Sequence, residues 1–422
     1  MKYLLIILTS FFYFTVPALA NETLDLNQNR IENFDIDAET QKYIDTLTGE
    51  QKEQSDAYFE GGYWLLLWGL IVELFVAWLL LAKGLSKKIK SIAEKISTKV
   101  NLTNFLYLCI YSVVTYLIVL PWTIYADYFR EKKYNLLNQS FGEWFGEEII
   151  SLTLVTVFLG LLLTLLYVAI RKVRNTWWIW ASGITMIFLV LILFISPVFI
   201  SPLFNEYTPL PEGEVKESIL SMAKANGVPV ENVYMFDASK QSDRISANVS
   251  GIGSTIRISM NDNLMNTCTE EEIKAVMGHE LGHYVLNHGY ESLLMFGLVF
   301  LFGFAFINWG FERALKKWGQ NWGIDGLSDI AGLPLFMVLF SIYFFFATPI
   351  TNTIIRVNET EADIYGLNAA NEPEGFASVS MKLSTYRKIS PGSVERFLFF
   401  DHPSGYDRVR MSMEWKAENL EE

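Results

Sequence analysis

The sequence is poor in cysteine and in positive charge. Its 422 residues include only two cysteines, Cys109 and Cys268, too few for a disulfide framework or a cysteine-based metal site. Lysine and arginine total 33, against 46 aspartates and glutamates, which gives a formal net charge of -13. A strongly acidic chain argues against a nucleic-acid surface, so we expect no nucleic-acid partner.

Histidine is also scarce, and its distribution indicates a site. Only four histidines occur, and three of them lie between positions 279 and 288. The segment 279–283 reads HELGH, which places His279 and His283 on one face of a predicted helix, within reach of a single cation. Two neutral imidazoles suit Zn²⁺, which needs a third protein ligand and an open position for water. Glu280 lies beside the pair, where it can take a proton from the attacking water.

The same five-residue pattern can arise by chance on an ordinary surface helix. Here it follows a helix-start signal, because Thr269 and Glu272 have the spacing of a capping box. Together with the clustering of histidines, this signal favours a metal site over a structural helix.

Long apolar runs divide the chain. Hydrophobic residues make up 51% of it, and they occur in runs near the length of about 20 residues that crosses a bilayer. Four runs lie in 63–204, two in 290–355, and one at the N-terminus, so we predict a mainly α-helical, multi-pass membrane protein of about seven spans. Residues 1–20 fit either a signal peptide or the first membrane helix.

Three segments lie outside the membrane in this interpretation. Residues 21–62 form a polar, water-exposed segment, 205–289 an inserted α+β region that carries the HELGH helix, and 356–422 a C-terminal helical part. Within the insertion, residues 245–258 are typical of a hairpin or a twisted edge pair. An edge strand beside a metal helix can hold an extended peptide by strand addition, although an ordinary sheet strand has the same pattern.

Loop charges predict an orientation. Basic residues concentrate in 82–104, 171–176 and 310–333, and the positive-inside rule places these loops in the cytoplasm. Counting the spans then puts 205–289 and 356–422 together on the opposite side of the membrane. With the signal-like N-terminus, this favours a bacterial inner-membrane protein whose site faces away from the cytoplasm.

The second half of the site follows the last apolar run. Glu359 and Asp363 are four residues apart on a predicted helix, so Glu359 can supply the third metal ligand while Asp363 accepts a hydrogen bond from a ligating histidine. Glu361 points elsewhere and is the weaker candidate. His288 follows His283 too closely for the metzincin spacing, so we expect it to cap the helix end or to be solvated.

Two further groups lie near the C-terminus. His402 and Arg408 could stabilise the oxyanion that forms when water attacks a peptide carbonyl. As isolated residues, such groups more often belong to the surface or to the packing.

One carboxylate, Glu73, lies inside the first long run. A charge at that depth should face the bundle interior or a wet cavity. It is also the only hint of a transporter, which would need several such groups.

Several separated motifs, in order, resemble the type 1 CAAX prenyl proteases, which are membrane-integral zinc endopeptidases of seven spans. The resemblance runs from roughly Tyr58 to Arg410. Its motifs are SPLFN at 201–205, TPL at 208–210, DASK at 237–240, EIKAV at 272–276, HELGH at 279–283, ETEAD at 359–363, and His402-Pro403 with Arg408.

The resemblance implies a role for each matched residue. One zinc ion per chain would be held by His279, His283 and Glu359, with Glu280 as general base and Asp363 supporting a ligand. His402 and Arg408 would contact the tetrahedral intermediate. The family also implies a water-filled chamber walled by the helices, with the zinc site at one end. Its substrate-strand motif, Ser-Asn-Ala-Tyr, corresponds here to a stretch that includes Ser246, Ala247 and Asn248.

We therefore expect a membrane-embedded zinc metalloendopeptidase that cuts peptide or protein substrates, including lipidated or membrane-associated ones, in contact with membrane lipid. One alternative is a quality-control protease of the HtpX type, whose members have fewer spans. Another is a non-catalytic membrane chaperone or scaffold. The sequence gives no oligomeric state.

Overall fold

A computed structural model describes residues 34–251 and 256–419 of the chain. The predicted signal peptide or first membrane helix, 1–20, lies outside the described residues. In chain order the principal helices are α1 (Ile36–Ile44), α2 (Gly49–Ala82), α3 (Leu85–Ile96), α4 (Val100–Thr123), α5 (Phe141–Lys172), α6 (Trp177–Ile195), α7 (Glu214–Ala225), α8 (Asp262–Thr267), α9 (Glu270–Val285), α10 (His288–Trp322), α11 (Leu333–Ala370), α12 (Pro373–Leu383), α13 (Ser393–Phe399) and α14 (Gly405–Asn419).

Six helices in the described part are long and apolar enough to cross a membrane: α2, α4, α5, α6, α10 and α11. They correspond to the six apolar runs predicted after the N-terminal one. Two of them end irregularly. Helix α4 contains Pro121 and continues through a π-helical turn, Ile124–Phe129, as far as Lys133. Helix α6 ends in a π-helical turn that begins at Ser196 and contains Pro197, which lacks the N–H of a regular helix.

The basic loops come together at one end of the bundle. Helix α3 lies in the first of them, and its Lys90 Nζ is 2.9 Å from the Asp329 carboxylate in the loop before α11. Arg171, at the end of α5, donates a hydrogen bond to Asn101 at the start of α4. The loops that charge bias assigned to one side of the membrane therefore do share one end of the molecule.

The inserted region contains a small four-stranded sheet with the order β1-β2-β4-β3. Strands β2 and β4 are parallel, and the two outer pairs are antiparallel. Its strands are β1 (Tyr207–Pro209), β2 (Val233–Phe236), β3 (Ala247–Ser250) and β4 (Arg257–Asn261). The antiparallel pair predicted over residues 245–258 is thus confirmed, and β3 lies at the edge of the sheet.

Most of the described part of 21–62 is exposed or half-buried, and three of its residues, Thr40, Leu47 and Ser55, are buried. Leu47 is buried against Ile389 and Val409 of the C-terminal region. Ser55 is also buried, and its hydroxyl donates to the Ser384 carbonyl over 2.6 Å. Because α2 begins well before its apolar stretch, this single continuous helix connects the membrane bundle to the helices behind the site.

Candidate active site

Helix α9, which carries the HELGH residues, is fixed at its start. Thr269 Oγ1 accepts from the Glu272 backbone N–H over 3.4 Å, and the Glu272 carboxylate accepts from the Thr269 N–H over 2.8 Å. The predicted capping box is therefore present. The buried Glu272 carboxylate also accepts from Ser378 Oγ at 2.6 Å and from Lys382 Nζ at 2.5 Å, which ties α9 to α12.

Helices α9 and α11 cross with their backbones in contact. A Cβ atom added at Gly278 would lie 2.8 Å from the Gly366 carbonyl oxygen, and one added at Gly366 would lie 2.7 Å from the His279 nitrogen. At Gly282 it would lie 3.2 Å from the Ala362 Cα. Only glycine permits this close approach, and the crossing brings the two halves of the predicted site together.

Three side chains converge where the helices cross. His279 Nε2 and His283 Nε2 are 3.1 Å apart, and they lie 3.4 and 3.3 Å from the two Glu359 oxygens. One ligand atom from each residue falls within 4.8 Å of the others. Two imidazole nitrogens and one carboxylate that face a common point can together hold a metal ion.

Asp363 and Arg408 support this group from behind. The Asp363 Oδ1 atom lies 2.7 Å from His279 Nδ1, an arrangement that directs the Nε2 lone pair toward the common point. Arg408 Nε donates to Asp363 over 2.8 Å, and its Nη2 donates to Glu359 over 3.0 Å. Burial opposes the charge of Arg408, but the two carboxylates outweigh it and raise the pKa of this guanidinium.

The carboxylates of Asp363 and Glu359 also change the pKa of His279. Burial favours the neutral form of His279, yet Asp363 and Glu359 raise its pKa to about 10. Burial raises the pKa of Glu280, and the nearby His279 and His283 only partly offset it.

His402 reaches the site from the loop before α14. Its Nε2 is 3.2 Å from a Glu359 oxygen, and its Nδ1 is 2.8 Å from Asp401 Oδ1. The structure thus brings His402 and Arg408 to the predicted ligands, although Arg408 is engaged with two carboxylates rather than projecting as a free cation.

His288 contradicts our expectation that it caps the helix or is solvated. Asn287, in a left-handed conformation with φ 61°, caps α10, whereas the His288 side chain is only 3% exposed. Its Nδ1 lies 2.9 Å from His283 Nδ1, and its Nε2 lies 3.2 Å from Glu361. The clustering of histidines was a signal for this contact. The spacing of His288 from His283 differs from the metzincin pattern, which argues against His288 as a metal ligand. It does not argue against a contact between His288 and a metal-binding histidine.

A cleft of about 330 Å³ opens beside these residues. On one side lies the edge strand: Ser246 and Ala247 line the cleft, while Asn248 pairs with Ser259 in the sheet ladder and lies outside the lining. Two of the three predicted substrate-strand residues therefore border the cavity. The remaining lining residues include Ile245, Val276, His279, Glu280, His283, Glu359, Asp363, Phe376, Leu383, Arg387, His402 and Arg408.

Glu73 borders a separate cavity of about 310 Å³ between the membrane helices. Its carboxylate accepts a hydrogen bond from Ser341 of α11, and Tyr111 and Tyr116 also line this cavity. The expectation that Glu73 faces an interior cavity is thus confirmed.

Both halves of the chain match known protein families. Residues 36–206 match the family described as CAAX prenyl protease N-terminal, five membrane helices, and residues 209–416 match peptidase family M48. The two matches adjoin each other just before the inserted sheet and together span nearly all described residues.

Individual relatives support the same grouping. The chain is 31% identical over 356 residues to the uncharacterised metalloprotease YhfN of Bacillus subtilis, covering 84% of this chain and 83% of that protein. It is 35% identical over 183 residues to CAAX prenyl protease 1 of Saccharomyces cerevisiae, covering 43% and 40%. The crystal structure of S. mikatae Ste24p superposes with a TM-score of 0.73 at 24% identity, covering 90% of this chain and 94% of that one.

Proposed function

The chain belongs to peptidase family M48 as a membrane-embedded, multi-pass metalloendopeptidase related to CAAX prenyl proteases, and we propose that its metal is one zinc ion per chain. The observation that carries this proposal is the convergence of His279, His283 and Glu359, whose ligand atoms lie within 4.8 Å of one another. The donors fit zinc because the site combines two imidazoles with one carboxylate and leaves an open position. Asp363, 2.7 Å from His279, supplies the outer support that such sites use.

When bound, a zinc ion would supply Lewis-acid polarisation of the peptide carbonyl and acidify a water molecule at neutral pH. Glu280 lines the same cleft, and we assign to it the proton that leaves the attacking water. Because burial raises its pKa, its carboxyl group is a better proton acceptor than an exposed one. It can then pass the proton to the leaving amine.

His402 is placed to stabilise the developing negative charge on the carbonyl oxygen. It lines the cleft and lies 3.2 Å from Glu359. Preorganised donors of this kind contribute most where water is excluded. Arg408 donates to Glu359 and Asp363, so we assign it mainly the positioning of the ligands.

Strand β3 provides a binding surface for an extended peptide. It forms the edge of the sheet, and Ser246 and Ala247 face the cleft. A peptide added to this edge would gain main-chain hydrogen bonds and would pass the HELGH residues. We propose peptide or protein substrates that are lipidated or membrane-associated. The likeness to a protein named CAAX prenyl protease supports this choice, and comparing farnesylated with unmodified peptides tests it.

Metal content of purified protein tests the ligand assignment. We expect about one zinc per wild-type chain and a strong loss in Glu359→Gln. The control is Glu312→Gln, which changes an exposed carboxylate on α10 and should leave zinc content unchanged. Equal zinc in all three proteins would contradict the proposed ligand set.

For orientation, we propose a bacterial inner membrane with the active site facing away from the cytoplasm. The support is that the basic loops share one end of the bundle. In a variant without Cys109 and Cys268, a cysteine introduced at exposed Glu231 should react with an impermeant reagent in intact spheroplasts. One at exposed Lys95 should react only after lysis. The reverse pattern would overturn the orientation.

A further inference from the structure

Arg387 enters the active-site cleft from a rigid support. It follows a short 3-10 turn, Ser384–Tyr386, at the end of α12. Ser55 of α2 donates to the Ser384 carbonyl over 2.6 Å and to the Arg387 carbonyl over 3.0 Å. The backbone that carries Arg387 is therefore held by the N-terminal part of α2, and its side chain lines the cleft with His402.

The Arg387 guanidinium has no counterion among residues 34–251 and 256–419. No carboxylate of that part lies within ion-pair distance of it, and no side-chain hydrogen bond leaves it, in contrast to Arg408 in the same cleft. The nearby Asp401 is engaged by His402 at 2.8 Å. Burial lowers the pKa of Arg387 and the charge of Arg408 lowers it further, while Tyr386, Asp401 and Glu359 offset only part of this effect.

Arg387 is half-buried in the cleft, and a charge that is partly removed from water is stabilised when a ligand supplies a partner. Its nearest aromatic neighbour, Tyr386, has its ring centroid 6.0 Å from the guanidinium carbon, which gives only a weak cation–π contact. Guanidinium groups bind carboxylates through two parallel hydrogen bonds. The cleft of a peptidase receives peptides, and the anionic group they bring is a carboxylate.

We propose that Arg387 is a specificity-determining residue that binds a carboxylate of the peptide substrate. The carboxylate belongs either to the free C-terminus of the peptide or to an acidic side chain near the scissile bond. This inference rests on the proposed peptidase function and adds a binding site to it.

Two pairs of matched peptides distinguish the two sources. One pair differs only in a free or amidated C-terminus, and the other only in Glu or Gln at an internal position. The wild type should prefer the charged member of one pair by about 10- to 100-fold in kcat/KM, mostly through KM, as expected for a charge-assisted hydrogen-bonded pair. The pair that shows the preference identifies the carboxylate.

Substitutions at Arg387 test whether this residue causes the preference for the charged peptide. In Arg387→Gln the ratio should fall close to one, and Arg387→Lys should keep part of it. The matched control is Arg410→Gln, because Arg410 pairs with Asp37 and Glu414 away from the cleft; it should keep the wild-type ratio. A preference that survives in both Arg387 variants, or no preference in the wild type, would overturn the proposal.

A binding measurement separates this proposal from the peptidase function. Zinc-loaded Glu280→Gln, with and without Arg387→Gln, is titrated with the same fluorescent peptides. If the wild type cuts nothing but Arg387→Gln abolishes a binding preference for the charged peptide, the carboxylate site stands and the proposed cleavage fails. If peptides are cut but bind equally whether charged or neutral, the carboxylate site fails and cleavage stands. Unchanged zinc content in Arg387→Gln shows that the variant is folded.

Discussion

The Nδ1 atoms of His283 and His288 lie 2.9 Å apart, so the site continues behind one of its ligands. If Nε2 of His283 binds the metal, as we propose, the proton of His283 is on Nδ1 and points to His288. His288 Nδ1 must then be the acceptor, which leaves the Nε2 proton of His288 to donate to Glu361, 3.2 Å away. In that arrangement each histidine of the proposed metal site has a carboxylate behind it, directly for His279 and through a second histidine for His283.

Removal of this outer histidine should weaken metal binding. We expect His288→Leu to lower zinc affinity by about 10- to 100-fold, the usual cost of losing a group that orients a ligand. Zinc dissociation measured against a chelator of known affinity tests this. An affinity equal to that of the wild type would show that the contact does not orient His283.

The glycine crossing should be as important as the ligands. Gly366→Ala places a methyl group 2.7 Å from the His279 nitrogen, so α9 and α11 must separate and the ligand atoms with them. We expect reduced zinc content and a lower melting temperature in detergent. Gly183→Ala, at an exposed position of α6 with no atom within 4 Å of the new Cβ, is the control and should behave as wild type. Full zinc content in Gly366→Ala would contradict this account of the crossing.

The stability contribution of Glu272 should depend on pH. Burial works against its charge, but Lys382, Ser378 and the Thr269 N–H prevail and lower its pKa below the usual value. The contribution is therefore complete above the unfolded-state pKa of about 4.3 and is lost as pH falls through the lower folded-state pKa. Glu272→Gln should cost about 1–3 kcal/mol at pH 7.

Melting temperatures of metal-free wild type and Glu272→Gln between pH 3 and 7 measure this dependence. Chelation of the metal in both proteins removes any effect of pH on zinc binding. The difference in melting temperature between the two proteins should disappear as the pH approaches 3. A difference that stays constant with pH would show that Glu272 acts through its shape rather than its charge.

The sequence predicted those parts of the site that depend on local spacing. His279 with His283, and Glu359 with Asp363, are each four residues apart, and helical geometry alone places each pair on one face. The edge strand was also predictable because β-branched residues and turn glycines mark it locally. The six described membrane helices follow from the length and apolar character of their runs.

Other features depend on contacts between distant segments, and no local pattern predicted them. His288 becomes a partner of His283 only because the left-handed Asn287 turns α10 back on α9. Within the mostly exposed start of α2, Ser55 is buried because its hydroxyl meets the carbonyl of Ser384, 329 positions away. Arg387 carries no motif, and only the fold shows that its charge faces the cleft without a partner.

The most direct test of the central claim compares the wild type with Glu280→Gln, measuring zinc content and peptide cleavage on the same preparations. Glu280 is not among the predicted ligands, so both proteins should hold about one zinc per chain. Cleavage by Glu280→Gln should fall about 10²- to 10⁴-fold, the usual loss when a general base is removed. Equal cleavage by the two zinc-loaded proteins would contradict the assignment of Glu280, and zinc-loaded wild type that cuts no peptide would favour a non-catalytic scaffold.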